Sequence, residues 1–334
     1  FWYKVLISTV IISFLLNIKF GVYKMKKTIT ILTPTYNEVD NIDELLSRIS
    51  KVIEKIPNYN FEHLFIDNSS NDETVKKIKQ LAKKDKKVKL IVNARNFGAD
   101  ASIMHGMAQV QTDACIYIVS DLQDPPELIP DLIKKWEEGF KIVGLVKTES
   151  EESKFIFFLR KLYYRLLSKI SATPPIENYA GSGLIDREVI KILREINDPV
   201  PFLRGLLIEI GLPMAIVYFK QPKRKKGSSA NGFFELYQVA LEGITNHSKF
   251  PIKLLSLFGF ILSVLSFILA ITYLCLKLFF WGEYPIGMTS LLIGIFFFGS
   301  IQMFFLGIIG EYISVIHTRV RKMPSVIELE RINF

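Results

Sequence analysis

Two long stretches without a charged residue constrain most strongly what this chain can fold into. Residues 254–276, LLSLFGFILSVLSFILAITYLCL, and residues 286–309, in which Gln302 is the one strongly polar side chain, carry no Asp, Glu, Lys or Arg. As a helix, the first stretch would reach about 35 Å, which is enough to cross a bilayer. So long an uncharged stretch is unusual in a core helix of a soluble protein. Both stretches therefore predict membrane spans.

The connection between the two stretches, KLFFWGEYP, is too short for a domain and predicts a two-helix transmembrane hairpin. Basic residues cluster on both flanks, in PKRKKG at 222–227 and in HTRVRKMP at 317–324. Lysine and arginine favour the cytoplasmic side, so both ends of the hairpin are expected there. The predicted location is the inner cell membrane, multi-pass, with the catalytic domain in the cytoplasm.

The formal net charge of +9 fits a protein that contacts an anionic lipid bilayer. The basic clusters adjoin apolar and aromatic segments, so we expect a bilayer partner and no nucleic acid. The two cysteines, Cys115 and Cys275, fall in a predicted core strand and a predicted span. Neither a disulfide framework nor a zinc site is therefore expected. Assembly into a homo-oligomer is left open.

The first 24 residues form an apolar N-terminal extension whose role the sequence leaves undecided. Residues 5–18 are apolar with a lysine on each side, which is short for a membrane span. Met25 stands directly before KKTITILTP, where the folded domain is expected to begin. An upstream extension of little functional weight and a true anchor both fit this pattern.

From Thr28 onward, strand-like and helix-like patterns alternate. The order is TITILTP, NIDELLSRISKVIEKI, FEHLFID, DETVKKIKQLAKKD, VKLIV, GADASIMHGMAQV and ACIYIVSD. This alternation predicts an α/β domain with a doubly wound, mostly parallel sheet. Ligands of such sheets bind at the carboxyl ends of the strands, and here those ends carry TYNE, DNSSND, NARNFG and SDLQD. Neither GxGxxG nor GK[ST] follows the first strand, so the usual dinucleotide and P-loop sites are not expected.

The stretch VSDLQDPPELIP, residues 119–130, places acidic side chains directly behind a predicted buried strand. Asp121 lies at the strand end, where a carboxylate can hold a divalent cation. Asp124 precedes Pro125 and Pro126, a pattern typical of a helix N-cap followed by proline in the first turn.

The remaining glycine and histidine patterns do not indicate a site. The glycines of GSG at 181–183 predict a turn. The four histidines do not have the spacing of metal ligands or of a catalytic triad.

The four strand-end motifs carry a resemblance to a known family. TPTYNE, IDNSSND, NARNFG and SDLQDPPELIPDLIKKWEEGF occur in the order and at the spacing of glycosyltransferase family 2. The chain is similar to its polyprenyl-phosphate glycosyltransferases, such as dolichyl-phosphate mannose synthase and the bacterial undecaprenyl-phosphate glucosyltransferases. The likeness runs from about Thr28 to the end of the predicted hairpin. DLQDPPEL followed by WEEG is specific, whereas TPTYNE alone is typical of the whole family.

The resemblance implies a GT-A-like fold and a hexosyltransferase that uses a UDP- or GDP-linked sugar in cell-envelope glycosylation. It places Asp121 and Gln123 on Mg²⁺ or Mn²⁺ at the donor diphosphate, with Asp121 as the catalytic residue. The expected acceptor is a polyprenyl phosphate, undecaprenyl or dolichyl, which is largely dianionic at neutral pH and needs no strong base. In-line attack would invert the anomeric carbon. The expected nucleotide-sugar-binding residues are Pro34, Tyr36, Glu38, Asp67, Asn96 and Asp121.

Two positions depart from the family pattern. Val119 stands where many relatives have the first aspartate of D-x-D, which leaves Asp121 as the one carboxylate of that pair. Gly181, in YAGSGLIDRE, stands where relatives have an acidic residue on the acceptor side. No catalytic acid is therefore assigned to that segment.

Two segments between the sheet and the hairpin are expected to face the membrane. Residues 154–170, KFIFFLRKLYYRLLSKI, combine apolar and aromatic side chains with five cations, which is typical of an interfacial helix. The basic stretch that follows Gln221 is expected to form a loop near the lipid phosphate. Its Lys223, Arg224 and Lys225, together with Arg204, are the predicted acceptor-phosphate residues, although a merely solvated lysine cluster also fits the pattern.

The sequence thus divides into an extension (1–24), a glycosyltransferase domain (25–230), a juxtamembrane segment (231–253), the hairpin (254–310) and a cytoplasmic tail (311–334). Two alternatives to a polyprenyl-phosphate glycosyltransferase stay open at this point. A processive polysaccharide synthase would need a wider membrane channel and usually a Q-x-x-R-W motif, which the chain lacks. A non-catalytic membrane scaffold with a degenerate transferase domain would account for Val119 and Gly181.

Overall fold

The computed structural model describes residues 26–148, 176–196, 198, 201–222, 250–279, 287–320 and 324–334. Several predicted features lie outside these ranges. They are the N-terminal extension 1–24, the interfacial helix 154–170, the basic residues 223–226 and the juxtamembrane residues 231–249.

The first half of the domain alternates strands and helices as predicted. The strands are β1 (Thr28–Thr35), β2 (Asn60–Asp67), β3 (Val88–Asn93) and β4 (Ala114–Tyr117), and the helices are α1 (Ile42–Ile53), α2 (Thr74–Lys84) and α3 (Ala99–Gln109). β1 pairs in parallel with β2 and with β4, and β2 pairs in parallel with β3. The predicted parallel, doubly wound arrangement is confirmed for this half.

The second half makes the sheet mixed rather than parallel throughout. It contains a 3₁₀ turn (Pro126–Leu128), α4 (Ile129–Glu137), β5 (Ile142–Lys147), β6 (Tyr179–Asp186), α5 (Arg187–Glu195), α6 (Leu203–Glu209) and β7 (Met214–Phe219). β6 runs antiparallel to both β4 and β5. With β8 (Glu328–Ile332), the strand order is β7-β5-β6-β4-β1-β2-β3-β8.

The predicted turn at GSG is wrong, because residues 181–183 form part of strand β6. Gly183 serves a close approach between strands: a Cβ there would lie 2.0 Å from the Val143 carbonyl oxygen. A glycine is therefore needed at position 183 because two strands approach closely there, and not because the chain turns.

Helices cover both faces of the sheet: most of them bury one apolar stripe, whereas α3 is buried over most of its length. On one face, α3, α5 and α6 bury Met107, Leu193 and Leu207 against apolar strand residues. On the other face, Leu45 of α1 and Trp136 of α4 pack in a second buried cluster. The strands between them are buried on both sides, which leaves their carboxyl ends as the place for polar chemistry.

The two predicted spans lie in two long helices, α7 (Phe250–Phe279) and α8 (Met288–Val320). In the described part of the chain, one window, Phe297–Ser314, is long and apolar enough to cross a membrane by length and composition. This window overlaps the second predicted span and extends beyond its end at residue 309.

Strand β8 follows α8 and returns the chain to the α/β sheet. It pairs antiparallel with β3, and Ile91 lies opposite Arg331 in the register. Val326, just before the strand, is buried, and Asn333, just after it, donates hydrogen bonds to Ala82 O and Val88 O at 2.7 and 2.8 Å. The end of the segment predicted as a cytoplasmic tail, residues 328–332, thus forms the edge of the sheet, which the sequence did not predict.

Candidate functional site

The loops after β1, β2, β3 and β4 meet at one edge of the sheet around a cavity of about 360 Å³. The strand order reverses between β1 and β4, and this switch point is where open α/β sheets bind ligands. The cavity is lined by Pro34, Thr35, Tyr36, Glu38, Asn68, Asn96, Gly98, Ala99, Ser102, Ile103, Tyr117, Val119, Ser120 and Asp121.

Five of the predicted nucleotide-sugar residues lie in this lining. Pro34 lies near the end of β1, the loop after β1 contributes Tyr36 and Glu38, and Tyr36 is 44% exposed. Asn96 follows β3, and Asp121 follows β4. Residues that are far apart in the sequence therefore converge because parallel strands place their carboxyl ends side by side.

Glu38 lines the cavity, and hydrogen bonds to neighbouring residues also hold it in place. Its Oε2 accepts a hydrogen bond from Asn41 Nδ2 at 2.5 Å, and its backbone N donates to Thr74 Oγ1 at 2.9 Å. These contacts tie the loop after β1 to the starts of α1 and α2. The Glu38 carboxylate is thus held in place before any ligand is bound.

Asp67, the sixth predicted residue, lies behind the cavity wall and does not line it. Its side chain is fully buried and accepts hydrogen bonds from Thr35 Oγ1, Ser70 N and Ser70 Oγ at 2.9, 2.8 and 2.5 Å. Its neighbour Asn68 reaches the lining instead. Asp67 therefore organises the loop after β2, and its buried neighbour Asn68 is the cavity-lining residue that the sequence analysis missed.

Asp121 and Gln123 stand in a tight loop after β4. Leu122 between them has φ +62°, and Gln123 N donates to Asp121 Oδ1 at 3.1 Å. Gln221 Nε2 donates to Gln123 Oε1 at 3.0 Å, so the amide oxygen of Gln123 already accepts one hydrogen bond. Asp121 is half-buried and borders the cavity, whereas Gln123 does not line it.

Asp124 does not cap a helix, so that prediction is wrong. The following 3₁₀ turn has Pro125 at its cap position, and no side chain caps it. The Asp124 side chain is instead buried, with a relative exposure of 3%. Burial raises the pKa of its carboxyl, while the nearby Ser182 hydroxyl and Lys147 act to lower it. The charge of Asp121 also raises the pKa of this buried carboxyl.

Arg204, a predicted acceptor residue, lies in the first turn of α6 and against Gly181 of β6. Its charge also acts on the Tyr117 hydroxyl, whose pKa is raised by burial and lowered in part by Arg204. Tyr117 lines the cavity and Arg204 does not, so the charge of Arg204 acts on the cavity wall from outside the lining. The other three predicted acceptor residues, Lys223, Arg224 and Lys225, lie outside the described residues.

The region around Arg204 contains one further acidic group that the sequence analysis did not single out. Asp100, in the first turn of α3, is partly buried, which raises the pKa of its carboxyl. The charge of Arg204 and the backbone N–H of Leu203 both act to lower that pKa. Asp100 therefore links the start of α3, at the cavity, with the start of α6.

The fold and the cavity together define an α/β protein with a ligand site at the carboxyl edge of its sheet. The sequence profile of Glycosyl transferase family 2 matches residues 30–193. An uncharacterized glycosyltransferase of Synechocystis sp. is 30% identical, over 89% of this chain and 93% of that protein. A prophage bactoprenol glucosyl transferase homolog of Escherichia coli is 31% identical, over 90% of this chain and 97% of that protein.

Among solved structures, glucosyl-3-phosphoglycerate synthase from Mycobacterium tuberculosis, in complex with Mn²⁺, uridine diphosphate and glucosyl-3-phosphoglycerate, superposes with a TM-score of 0.45. The two are 20% identical, over 66% of this chain and 79% of that one. The matches to curated relatives extend over nearly the whole chain. This chain therefore belongs to glycosyl transferase family 2 and is a glycosyltransferase.

Proposed function

We propose that the protein transfers a hexose from a nucleotide-diphosphate sugar to a polyprenyl phosphate at the cytoplasmic membrane face, with inversion of the anomeric carbon. The observation that carries this proposal is the cavity at the switch point, where Tyr36, Glu38, Asn96 and Asp121 converge. The name of the similar Escherichia coli protein, a bactoprenol glucosyl transferase homolog, supports a polyprenyl phosphate as acceptor.

The nucleotide would bind against the loops after β1 and β3. Tyr36 offers an exposed aromatic ring, and Pro34 and Glu38 flank it. Asp67 would act from behind the wall by holding the loop after β2 through Thr35 and Ser70. Asp121 would face the diphosphate, which lies between the nucleoside and the sugar.

The residues after β4 fit a divalent cation that is shared with the substrate. Asp121 supplies a carboxylate, and Gln123 supplies an amide oxygen with one lone pair not used by Gln221. In the described part of the chain, no group of three or more His, Cys, Asp or Glu side chains could hold a metal. Mg²⁺ and Mn²⁺ are commonly held by one or two carboxylates together with phosphate and water oxygens. When bound, such an ion supplies Lewis-acid stabilisation of the departing diphosphate.

The acceptor phosphate needs cations more than it needs a base. A phosphate monoester with a second pKa near 6 is largely dianionic at neutral pH, so it can attack the anomeric carbon without giving up a proton first. Arg204, beside the cavity, offers a planar guanidinium that binds phosphate through two N–H groups. A single in-line displacement would give a β-linked product from an α-linked donor.

The return of β8 to the sheet supports the two-helix hairpin. β7 ends at Phe219 and β8 begins at Glu328, and both strands belong to one sheet. If Phe297–Ser314 crosses the bilayer, the chain between these strands must cross a second time to bring β8 back to the same side. Helix α7, Phe250–Phe279, supplies 30 residues for that second crossing.

The proposal is tested with the full-length protein in nanodiscs that contain undecaprenyl phosphate. Radiolabelled UDP- and GDP-sugars are supplied one at a time with Mn²⁺, and the lipid product is separated by extraction. Transfer of one hexose to the lipid through a bond that mild acid cleaves, with the β configuration in the intact lipid product, is the expected result. Polymer formation would favour a processive synthase, and no transfer from any donor of the panel would contradict the proposal.

A further inference from the structure

The side chain of Asn68 makes four hydrogen bonds at the wall of the cavity. Its Oδ1 accepts from Phe97 N at 3.0 Å and from Asn93 Nδ2 at 3.1 Å. Its Nδ2 donates to Asn96 Oδ1 at 2.8 Å and to Gly98 O at 3.1 Å. An asparagine side chain has two N–H donors and two acceptor lone pairs, so this one is fully used.

The orientation of the Asn68 amide follows from its backbone partners. A backbone N–H can only donate, and a carbonyl oxygen can only accept, so Phe97 N must face the amide oxygen and Gly98 O must face the amide nitrogen. The residue is 6% exposed, and its own N–H donates to Thr35 O at 2.9 Å. Asn68 is thus fixed to the end of β1 and cannot turn its amide over without opposing like groups.

Asn68 holds three consecutive residues of the loop that leads from β3 into α3. Two of them, Asn96 and Gly98, line the cavity. Gly98 has φ +89°, and it directly precedes α3, whose first residue Ala99 also lines the cavity. One buried side chain therefore determines where this wall of the cavity stands.

The same contacts decide which end of the Asn96 amide faces the cavity. Asn96 Oδ1 already accepts hydrogen bonds from Asn68 Nδ2 and from Gly98 N, the latter at 2.9 Å. Its Nδ2 is therefore the group left to meet a ligand, and an N–H donor recognises a phosphate or carbonyl oxygen. A wall that presents this donor suits the diphosphate or the base carbonyls of a nucleotide sugar.

We infer that Asn68 is the positioning residue for the nucleotide-sugar side of the cavity, acting through Asn96 and Gly98. The identity of the ligand rests on the proposed function, whereas the contacts themselves do not. The substitution that isolates this role is Asn68→Asp, which is nearly isosteric. It keeps the acceptor for Phe97 N and Asn93 Nδ2, and it replaces the two donors with an oxygen that opposes Asn96 Oδ1 and Gly98 O.

The test measures binding of UDP and of GDP, each with Mn²⁺, to the full-length protein in nanodiscs by calorimetry. Asn68→Asp should weaken the affinity for the nucleotide that the wild type binds by about tenfold or more, because Asn96 Oδ1 and Gly98 O lose their donors and face a carboxylate oxygen instead, which displaces this wall of the cavity. Kinetically, KM for the nucleotide sugar should rise and KM for the lipid should stay unchanged. Asn60→Asp, the same chemical change at the exposed start of β2, is the matched control and should behave as wild type.

Hydrogen exchange separates positioning from a general loss of structure. In Asn68→Asp, amides of residues 94–103 should exchange faster while those of β1 and α1 keep their protection. If Asn68→Asp does not fold, Asn96→Ala replaces it, because this side chain is exposed and its removal leaves the core intact. Asn96→Ala should also weaken nucleotide binding relative to the wild type.

The outcomes distinguish this inference from the proposed function. Equal nucleotide affinity of the wild type and Asn68→Asp, or of the wild type and Asn96→Ala where Asn68→Asp is unfolded, would overturn the inference and leave the proposed function standing. Failure of the wild type to bind either nucleotide would overturn both.

Discussion

The side chain of Arg204 lies directly against the α-carbon of Gly181. A Cβ on Gly181 would stand 2.9 Å from Arg204 Cγ and 3.0 Å from Arg204 Nε, and the backbone at Gly181 has φ +85°. The arginine therefore occupies the volume into which any side chain at position 181 would project. A cation therefore fills the space beside Gly181, one of the two positions at which we expected a departure from the family pattern.

Substituting Gly181 by alanine should displace Arg204. We expect a several-fold rise in the apparent KM for polyprenyl phosphate and a smaller effect on the nucleotide sugar. The positive φ adds a loss of stability of about 1 kcal/mol. Gly139→Ala is the matched control, because Gly139 has φ +102° and no atom within 4 Å of the added Cβ. If the two variants show the same kinetics, the contact with Arg204 has no functional role.

Arg204→Lys tests the acceptor site by changing the other residue of the Gly181–Arg204 contact. The charge stays but the planar fork is lost, so KM for the lipid should rise by about tenfold with KM for the nucleotide sugar unchanged. Arg48→Lys serves as the control, since Arg48 also makes a two-pronged contact, with Glu127, away from the cavity. Equal changes in both KM values, or a change for the nucleotide sugar alone, would remove Arg204 from the acceptor site.

Asp121→Asn should keep the fold and lose most activity, because the substitution is nearly isosteric and removes the carboxylate charge. Mn²⁺ affinity in the presence of nucleotide, measured by electron paramagnetic resonance, should fall with it. Asp131→Asn, at an exposed position of α4, should change neither quantity. Undiminished turnover of Asp121→Asn at limiting Mn²⁺ would contradict the assignment.

His63 should make the folded domain less stable in mild acid. It is buried, stacked on Phe65 and hydrogen-bonded to Thr33 Oγ1, and burial lowers its pKa from the ordinary 6.5 to about 3. Between these two values the unfolded chain binds a proton that the folded chain does not. Stability is therefore fully present above pH 6.5 and falls as the pH decreases, by at most about 1.4 kcal/mol per pH unit.

The measurement for His63 is thermal unfolding of the wild type and of His63→Gln at pH 7 and at pH 5. Glutamine can still hydrogen-bond Thr33 and stays neutral at both pH values. The variant should be less stable at pH 7 and should lose less stability on acidification. An identical pH dependence of both proteins would show that His63 does not cause it.

The proposed hairpin would place residues 278–285 on the side of the membrane opposite to β8. In a Cys275→Ser background, Glu283→Cys should react with an impermeant thiol reagent in intact cells. Ser325→Cys, close to the start of β8, should react only after the cells are opened. Cys115 is buried and should stay unlabelled. The reverse labelling pattern would contradict the proposed orientation.

The sequence by itself located most of the cavity. Regular alternation of apolar strands and amphipathic helices predicted parallel strands, and parallel strands must end side by side. Polar residues just after those ends, such as Tyr36, Asn96 and Asp121, therefore had to lie near one another. Only the order of the elements along the chain was needed for this prediction, and local periodicity determines that order.

What the tertiary structure decided concerns single residues and distant pairings. Successive residues of a strand point to opposite sides, so whether Asp67 or Asn68 faces the cavity depended on the exact end of β2. The inward turn of Asp124 and the strand at residues 181–183 likewise depend on neighbours from other parts of the chain. β8 is the clearest case: ELERI has only its two end residues partly buried and pairs with β3 across more than 230 positions, and no local pattern encodes a partner so far away.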